Sequence, residues 1–138
     1  MPDDRRPTPP DAPLLRVQGL SKHYALPGKG QFKALNAVSF ELQDGRTLGI
    51  VGESGCGKST LARTLMRLVD ASSGTVDFGG VPWIAPGAEP GRAERRWMQM
   101  VFQDPFSSLN PKHSIGEIVR EPLDIHWTDR SREQRMQR

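Results

Sequence analysis

An α/β fold is predicted, with an antiparallel β part leading into a buried strand, a glycine loop and a helix. Three observations carry that prediction. The run "AVSFEL" alternates Val38, Phe40 and Leu42 with polar neighbours, the period of a half-buried antiparallel strand. "TLGIV" (47–51) is apolar almost throughout, as in a strand covered on both faces of a parallel sheet. Directly after it stands "GESGCGKST", followed by apolar residues at helical spacing.

Length and composition bound what those elements can build. With 138 residues, 36% of them apolar and 25% charged, the chain has material for one compact core. No 18-residue apolar run and no charged-then-apolar leader is present, so a soluble, cytoplasmic protein is expected. The single cysteine, Cys56, excludes an intramolecular disulfide, and His23, His113 and His126 lack ligand spacing. The net charge of +3 is dispersed, with Glu94 interrupting Arg92, Arg95 and Arg96, and acidic residues also interrupt the arginines of the tail. Nucleic acid is not an expected partner, because such binding needs a coherent basic stripe.

In chain order, residues 1–13 hold five of the twelve prolines and almost nothing apolar, and read as a disordered lead-in. A first strand is expected from about Leu14 in "LLRVQGL", and the second ends at an Asp44-Gly45 turn. After the glycine loop, Leu61, Ala62, Leu65, Met66 and Val69 form one face of a helix over Ser59–Asp70, with Arg63, Thr64, Arg67 and Asp70 opposite. "TVDF" is a short strand stopped by Gly79-Gly80, and "GGVPWIAPGAEPGR" reads as a long loop. A short helix around Ala93–Met98 leads into a strand, "MQMVFQ". Ser114 and Glu117 stand at capping-box spacing ahead of a helix through "IGEIVRE", which Pro122 is expected to help end. A helix that begins in the final arginine-rich segment completes the expected elements.

The loop carries the chemistry. Gly52, Gly57, Lys58 and Ser59 fill every fixed position of G-x-x-x-x-G-K-[ST], the P-loop pattern, between a buried strand and an amphipathic helix. Glycines let the backbone wrap closely around phosphate oxygens, so the successive N–H groups from Gly55 to Thr60 can converge on the anion, and the expected nucleotide-binding set is Gly52, Glu53, Ser54, Gly55, Cys56, Gly57, Lys58, Ser59 and Thr60. The helix N-terminus adds partial positive charge there. Lys58 supplies a full charge for the β/γ-phosphates, and the Ser59 hydroxyl suits Mg2+. Cys56 reads either as a reactive thiol beside Lys58 or as a small residue whose N–H is what matters. "DFG" and D-x-x-G at Asp77–Gly80 imitate kinase and GTPase motifs without their companions, and read as turn chemistry.

"MQMVFQDPFSSLNP" selects among P-loop proteins. With "LSKHY", "ALNAVSFEL", "GRTLGIVGESGCGKSTLARTLMRL", "SSGTV" and "EPLDIH" in the same order, the chain from about Leu14 to Ile125 resembles the ATP-binding subunits of ABC transporters, especially the dipeptide, oligopeptide and nickel importers. The resemblance implies a P-loop NTPase fold of the ABC type, with ATP and Mg2+ as cofactors. It assigns Tyr24 to stacking on adenine, though the residues alone leave a core or strand-end tyrosine open. It likewise assigns Gln103 to Mg2+ and the attacking water, at the base of a loop that meets the membrane permease, where the bland alternative is a polar strand end. By the same likeness the expected partners are permease subunits and a second ATP-binding subunit, at the inner face of the plasma membrane.

Four elements of that family are not among the 138 residues: the L-S-G-G-Q signature, the apolar strand ending in Asp, the Glu after it, and the switch His. The chain therefore reads as an incomplete domain: residues 14–125 its N-terminal part, 126–138 the start of a helical subdomain. "TLGIV" would be left as an unpaired apolar edge. Mg-ATP binding without turnover is expected of this stretch alone. The rival reading is a non-catalytic nucleotide-binding fragment or pseudo-subunit that only occupies a partner surface.

Overall fold

The computed structural model describes residues 12–28, 30–91, 94–104, 108–126, 131 and 133. The expected lead-in at 1–13 and the terminal helical start lie almost wholly outside the described residues. Two compact units divide the chain, one up to Pro90 and one from Gly91 onward.

In the first unit, β1 (Leu15–Leu26) and β2 (Gly30–Leu42) form a long antiparallel hairpin, and β3 (Ser73–Phe78) and β4 (Val81–Ile84) extend it into a sheet of order β2-β1-β3-β4. Alternation along β1 buries Leu15 and Val17, then changes phase at Gly19 to bury Leu20 and Ser21. Ser21 is tolerated there because its hydroxyl donates to the Gly19 carbonyl and accepts from the Ala37 N–H, where the β1–β2 register slips. Val76, Phe78 and Trp83 complete the buried face, and Phe78 meets Trp83 edge-on at 5.7 Å.

The hairpin between β3 and β4 settles the imitation motifs. Phe78 pairs with Val81, so Gly79 and Gly80 are the whole turn, and both have positive φ, 61° and 79°. That is the type I′ geometry whose twist suits a two-residue hairpin. Asp77 accepts from the Gly80 N–H at 3.0 Å, so its carboxylate serves to close the turn. The expected 79–92 loop is also corrected, since Val81–Ile84 within it form β4. Pro82 and the flanking glycines masked a strand whose Trp83 is among the most buried side chains.

Helix α1 (Lys58–Leu65) is shorter than the expected 59–70. It closes in a Schellman arrangement, with Leu68 N–H donating to Arg63 O and Arg67 N–H to Thr64 O. Leu61 is buried and Arg63 and Asp70 are exposed, as expected, but Thr64 of the expected polar face departs from that pattern. Thr64 is wholly buried, its hydroxyl satisfied by the Thr60 carbonyl at 2.8 Å, whereas Leu68 past the helix end is exposed. A Thr that bonds back to its own helix can enter a core that an unpaired hydroxyl could not.

Two expected strands are absent. Residues 47–51 carry no strand pairing, and Val51 is 92% exposed. A parallel strand needs a neighbouring strand to take its N–H and C=O groups and cover on its faces, and every pairing in the described sheet is antiparallel.

In the second unit "MQMVFQ" is likewise unpaired, with Val101 96% exposed. The short helix is a single 3-10 turn over Glu94–Trp97, and Ala93 lies outside the described residues. Helix α2 (Ile115–His126) opens on the expected capping box. Ser114 N–H donates to Glu117 Oε2 at 2.7 Å, its hydroxyl donates to the same oxygen at 2.8 Å, and the Glu117 N–H returns to Ser114 Oγ at 3.4 Å. Pro122 does not end this helix; it lies inside it. Proline forfeits one backbone bond, and an Arg120–Asp124 pair at 2.9 Å bridges the turn around it.

Candidate functional site

The glycine loop joins Asp44–Gly45 and the apolar run to α1. Gly57, the residue that starts the helix, has φ 98°, which L side chains rarely adopt. A Cβ there would also lie 2.4 Å from the Ala34 carbonyl oxygen of β2. The loop is therefore seated directly on the β2 backbone, and only glycine allows it. No side chain caps α1, and no acidic residue stands in its first turn. Its leading amides and its dipole remain available to an anion from outside the helix.

Lys58 closes the loop. Its ammonium donates to the carbonyls of Gly52 at 2.7 Å and Glu53 at 2.6 Å, with Cys56 Sγ at 3.5 Å. Cys56 N–H donates to the Glu53 carbonyl at 3.3 Å, so Gly52–Lys58 forms a ring around one cationic centre. Cys56 is exposed and free. Ser59 is exposed, and Thr60, half-buried, gives its carbonyl to Thr64.

Tyr24 lies on β1 opposite Phe32, two positions along β2 from the Ala34 that abuts Gly57. It is 40% exposed, and the Lys22 ammonium stands 5.0 Å from its ring centroid. The core alternative for Tyr24 does not survive that exposure. Gln103 belongs to the second unit, exposed in a non-repetitive stretch, so the expected strand end is not what holds it. The structure thus gathers Gly52–Thr60 into one site, puts Tyr24 on the strand pair beneath it, and leaves Gln103 in a separate unit. Ala34 had no signal in the sequence, because its part is played by a backbone oxygen.

The loop fits a polyphosphate on its own geometry: a close seat on β2 that admits no Cβ at Gly57, uncapped amides, and one ammonium facing inward. Among the described residues no cluster of three or more His, Cys, Asp or Glu could hold a metal by itself. No described helix is long and apolar enough to cross a membrane.

The chain is 46% identical over 114 residues to the putative oligopeptide transport ATP-binding protein YkfD of Bacillus subtilis, covering 83% of this chain and 35% of that protein. It is 44% identical over 126 residues to the oligopeptide transport ATP-binding protein OppF of the same organism, covering 91% and 41%. A probable peptide ABC transporter ATP-binding protein of Sinorhizobium fredii, y4tS, is 52% identical over 118 residues, covering 80% and 33%. The chain thus spans well under half the length of these relatives. Among solved structures, the dimeric ATP-binding cassette MJ0796, in a post-hydrolysis state bound to ADP and Pi, superposes with a TM-score of 0.68. The match covers 88% of this chain and 52% of that one at 24% identity, and bears on the fold alone. Residues 35–138 match the family described as ABC transporter, a stretch that takes in the end of β2, the P-loop, α1 and the whole second unit. With the relatives agreeing in name and the cassette agreeing in fold, the chain belongs to the ABC transporter family.

Proposed function

We propose that this chain binds Mg-ATP at Gly52–Thr60 as part of an energy-coupling ATPase subunit that drives import of peptides or similar small solutes. The observation that carries the reading is the closed ring around Lys58, seated on β2 through Gly57. Two of the three ammonium protons of Lys58 are held by carbonyls, and the third faces only a thiol sulfur at 3.5 Å, a weak acceptor. A phosphate oxygen is a far better acceptor for it. The uncapped amides of α1 take further phosphate oxygens, Ser59 offers a hard oxygen to Mg2+, and Tyr24 offers its ring to adenine. When bound, the nucleotide supplies the phosphoryl group whose transfer to water releases the energy for transport.

Gln103 is proposed to orient that water and to report nucleotide state to a permease, since an amide can accept at one atom and donate at the other. Transport itself is proposed for the whole protein, paired with a second ATP-binding subunit against an integral permease at the cytoplasmic face of the membrane. The names of the peptide-transport relatives support that assignment. Residues 1–138 alone are proposed to bind without steady turnover, because the signature, the Asp-Glu pair and the switch His are not among them. The pseudo-subunit reading shares the binding step and differs in turnover of the whole protein.

Titration calorimetry with Mg-ATP tests the reading. Saturable heat from the folded chain, weakened at least about tenfold (roughly 1.4 kcal/mol) by Lys58→Ala, is expected. Equal heats from the two proteins would overturn it.

A further inference from the structure

The far end of α1 carries a feature that the P-loop pattern does not explain. Arg67, the first residue past the helix cap, sits at φ 55°, in the left-handed region that costs a side-chain-bearing residue about 1–2 kcal/mol. Glycine would meet the same Schellman geometry without that cost. What Arg67 adds is reach. Its Nη1 donates to the carbonyls of Trp83 and Ala88, both at 2.9 Å. Ala88 closes a turn with Ala85 in which Pro86 and Gly87, φ 74°, hold the central positions of a type II turn. In return, the Trp83 indole N–H donates to the Leu65 carbonyl at the end of α1, at 2.6 Å. Helix end and β4 segment thus hold each other by three bonds running in both directions.

We infer that Arg67 and Trp83 are positioning residues for the nucleotide loop: their clasp fixes the C-terminal end of α1 so that its N-terminal amides stay aimed at phosphate. This rests on the proposed reading of Gly52–Thr60 as a nucleotide site. The helix is eight residues long, about 12 Å, too short to hold its own shape or direction in water. Its N-terminal end is located by Gly57 against Ala34, a contact about which the rest can pivot. Leu61 and Thr64 pack into the core, but an open cavity of about 270 Å3, lined by Thr64, Arg67, Asp70, Ile84 and Pro86, lies beside the other end, so packing there is incomplete and the clasp adds the directional contacts that fix it. Cutting the clasp leaves the loop chemically intact but no longer preorganised, and the ordering cost moves to the binding step.

The test measures the Mg-ATP dissociation constant and melting temperature of the full chain as wild type, Arg67→Gly, Arg67→Lys and Trp83→Phe. Arg67→Gly relieves the left-handed backbone while losing two hydrogen bonds, so its melting temperature is expected within about 3 °C of wild type. Its dissociation constant is expected to rise about five- to tenfold, and that of Trp83→Phe about threefold. Arg67→Lys restores at least half of the lost affinity. Wild-type affinity in Arg67→Gly, or weakening that only tracks a fall in melting temperature, overturns the inference. Should Arg67→Gly not fold, Trp83→Phe decides by the same two readings. Failure of the wild type itself to bind is a different result: it removes the nucleotide site, and the clasp's purpose with it.

Discussion

Gly57 meets two demands at one position, a left-handed φ of 98° and the Ala34 carbonyl 2.4 Å from where a Cβ would stand. The second cannot be relieved by a rotamer change, because the obstacle is backbone. Gly57→Ala is therefore expected to cost about 1–3 kcal/mol in urea unfolding and to abolish measurable Mg-ATP binding. Unchanged stability would mean that the loop does not rest on β2. Tyr24 gives a subtler test, since Tyr24→Phe keeps the ring and Tyr24→Ala removes it. The former should leave ATP affinity near wild type, and the latter should weaken it by about 1–3 kcal/mol in competition binding, with little effect on pyrophosphate. At this scale the sequence was most readable where function is local. Gly52–Thr60 are contiguous, and each residue type has its own reason to be there. Thr64 and Arg67 were misread as one polar face because their partners, Thr60 on the same helix and Trp83 beyond it, emerge only when the chain folds.

Among the elements, α2 offers a prediction with a sign. The Ser114 backbone N–H, and then its hydroxyl, hold the Glu117 carboxyl below the ordinary glutamate range. A carboxyl depressed in the folded state contributes its stabilisation in full above the unfolded value and loses it as pH falls through the folded one. The α2 amides should accordingly lose protection from hydrogen exchange on acidification below the usual carboxylate range. In Glu117→Gln, which can still complete the box, that dependence should vanish. A wild-type helix indifferent to acid would show that the box does not hold in solution. The elements themselves were legible in proportion to their locality. β1, β2, β3 and the α2 start follow from alternation, turn residues and capping chemistry. β4 hid behind Pro82, and Pro122 misled because an interior proline weakens a helix without always stopping it.

For the whole molecule, the antiparallel sheet and α1 share one buried set centred on Leu20, Val17 and Val76. Leu20→Ala should destabilise the first unit by about 2–5 kcal/mol, read from its denaturation midpoint. The runs 47–51 and 98–103 behave differently: the first has the composition of a buried parallel strand and the second was expected as a strand, but neither has strand pairing, and Val51 and Val101 are almost wholly exposed. Composition could announce such strands but not supply the neighbours they need, which is why the expected parallel layer failed while the antiparallel one formed. Exposed apolar residues such as Val51 and Val101 should promote concentration-dependent association, measurable by light scattering and reduced by Val101→Lys. A monodisperse wild type at high concentration would contradict that. The central claim, that the amides of Gly55–Thr60 grip a triphosphate, is tested most directly by following their 15N–1H resonances in the folded chain as Mg-ATP is added. The account predicts large, saturable shifts confined to the loop and the start of α1, lost in Lys58→Ala. Loop resonances that stay still while the protein remains folded would contradict it.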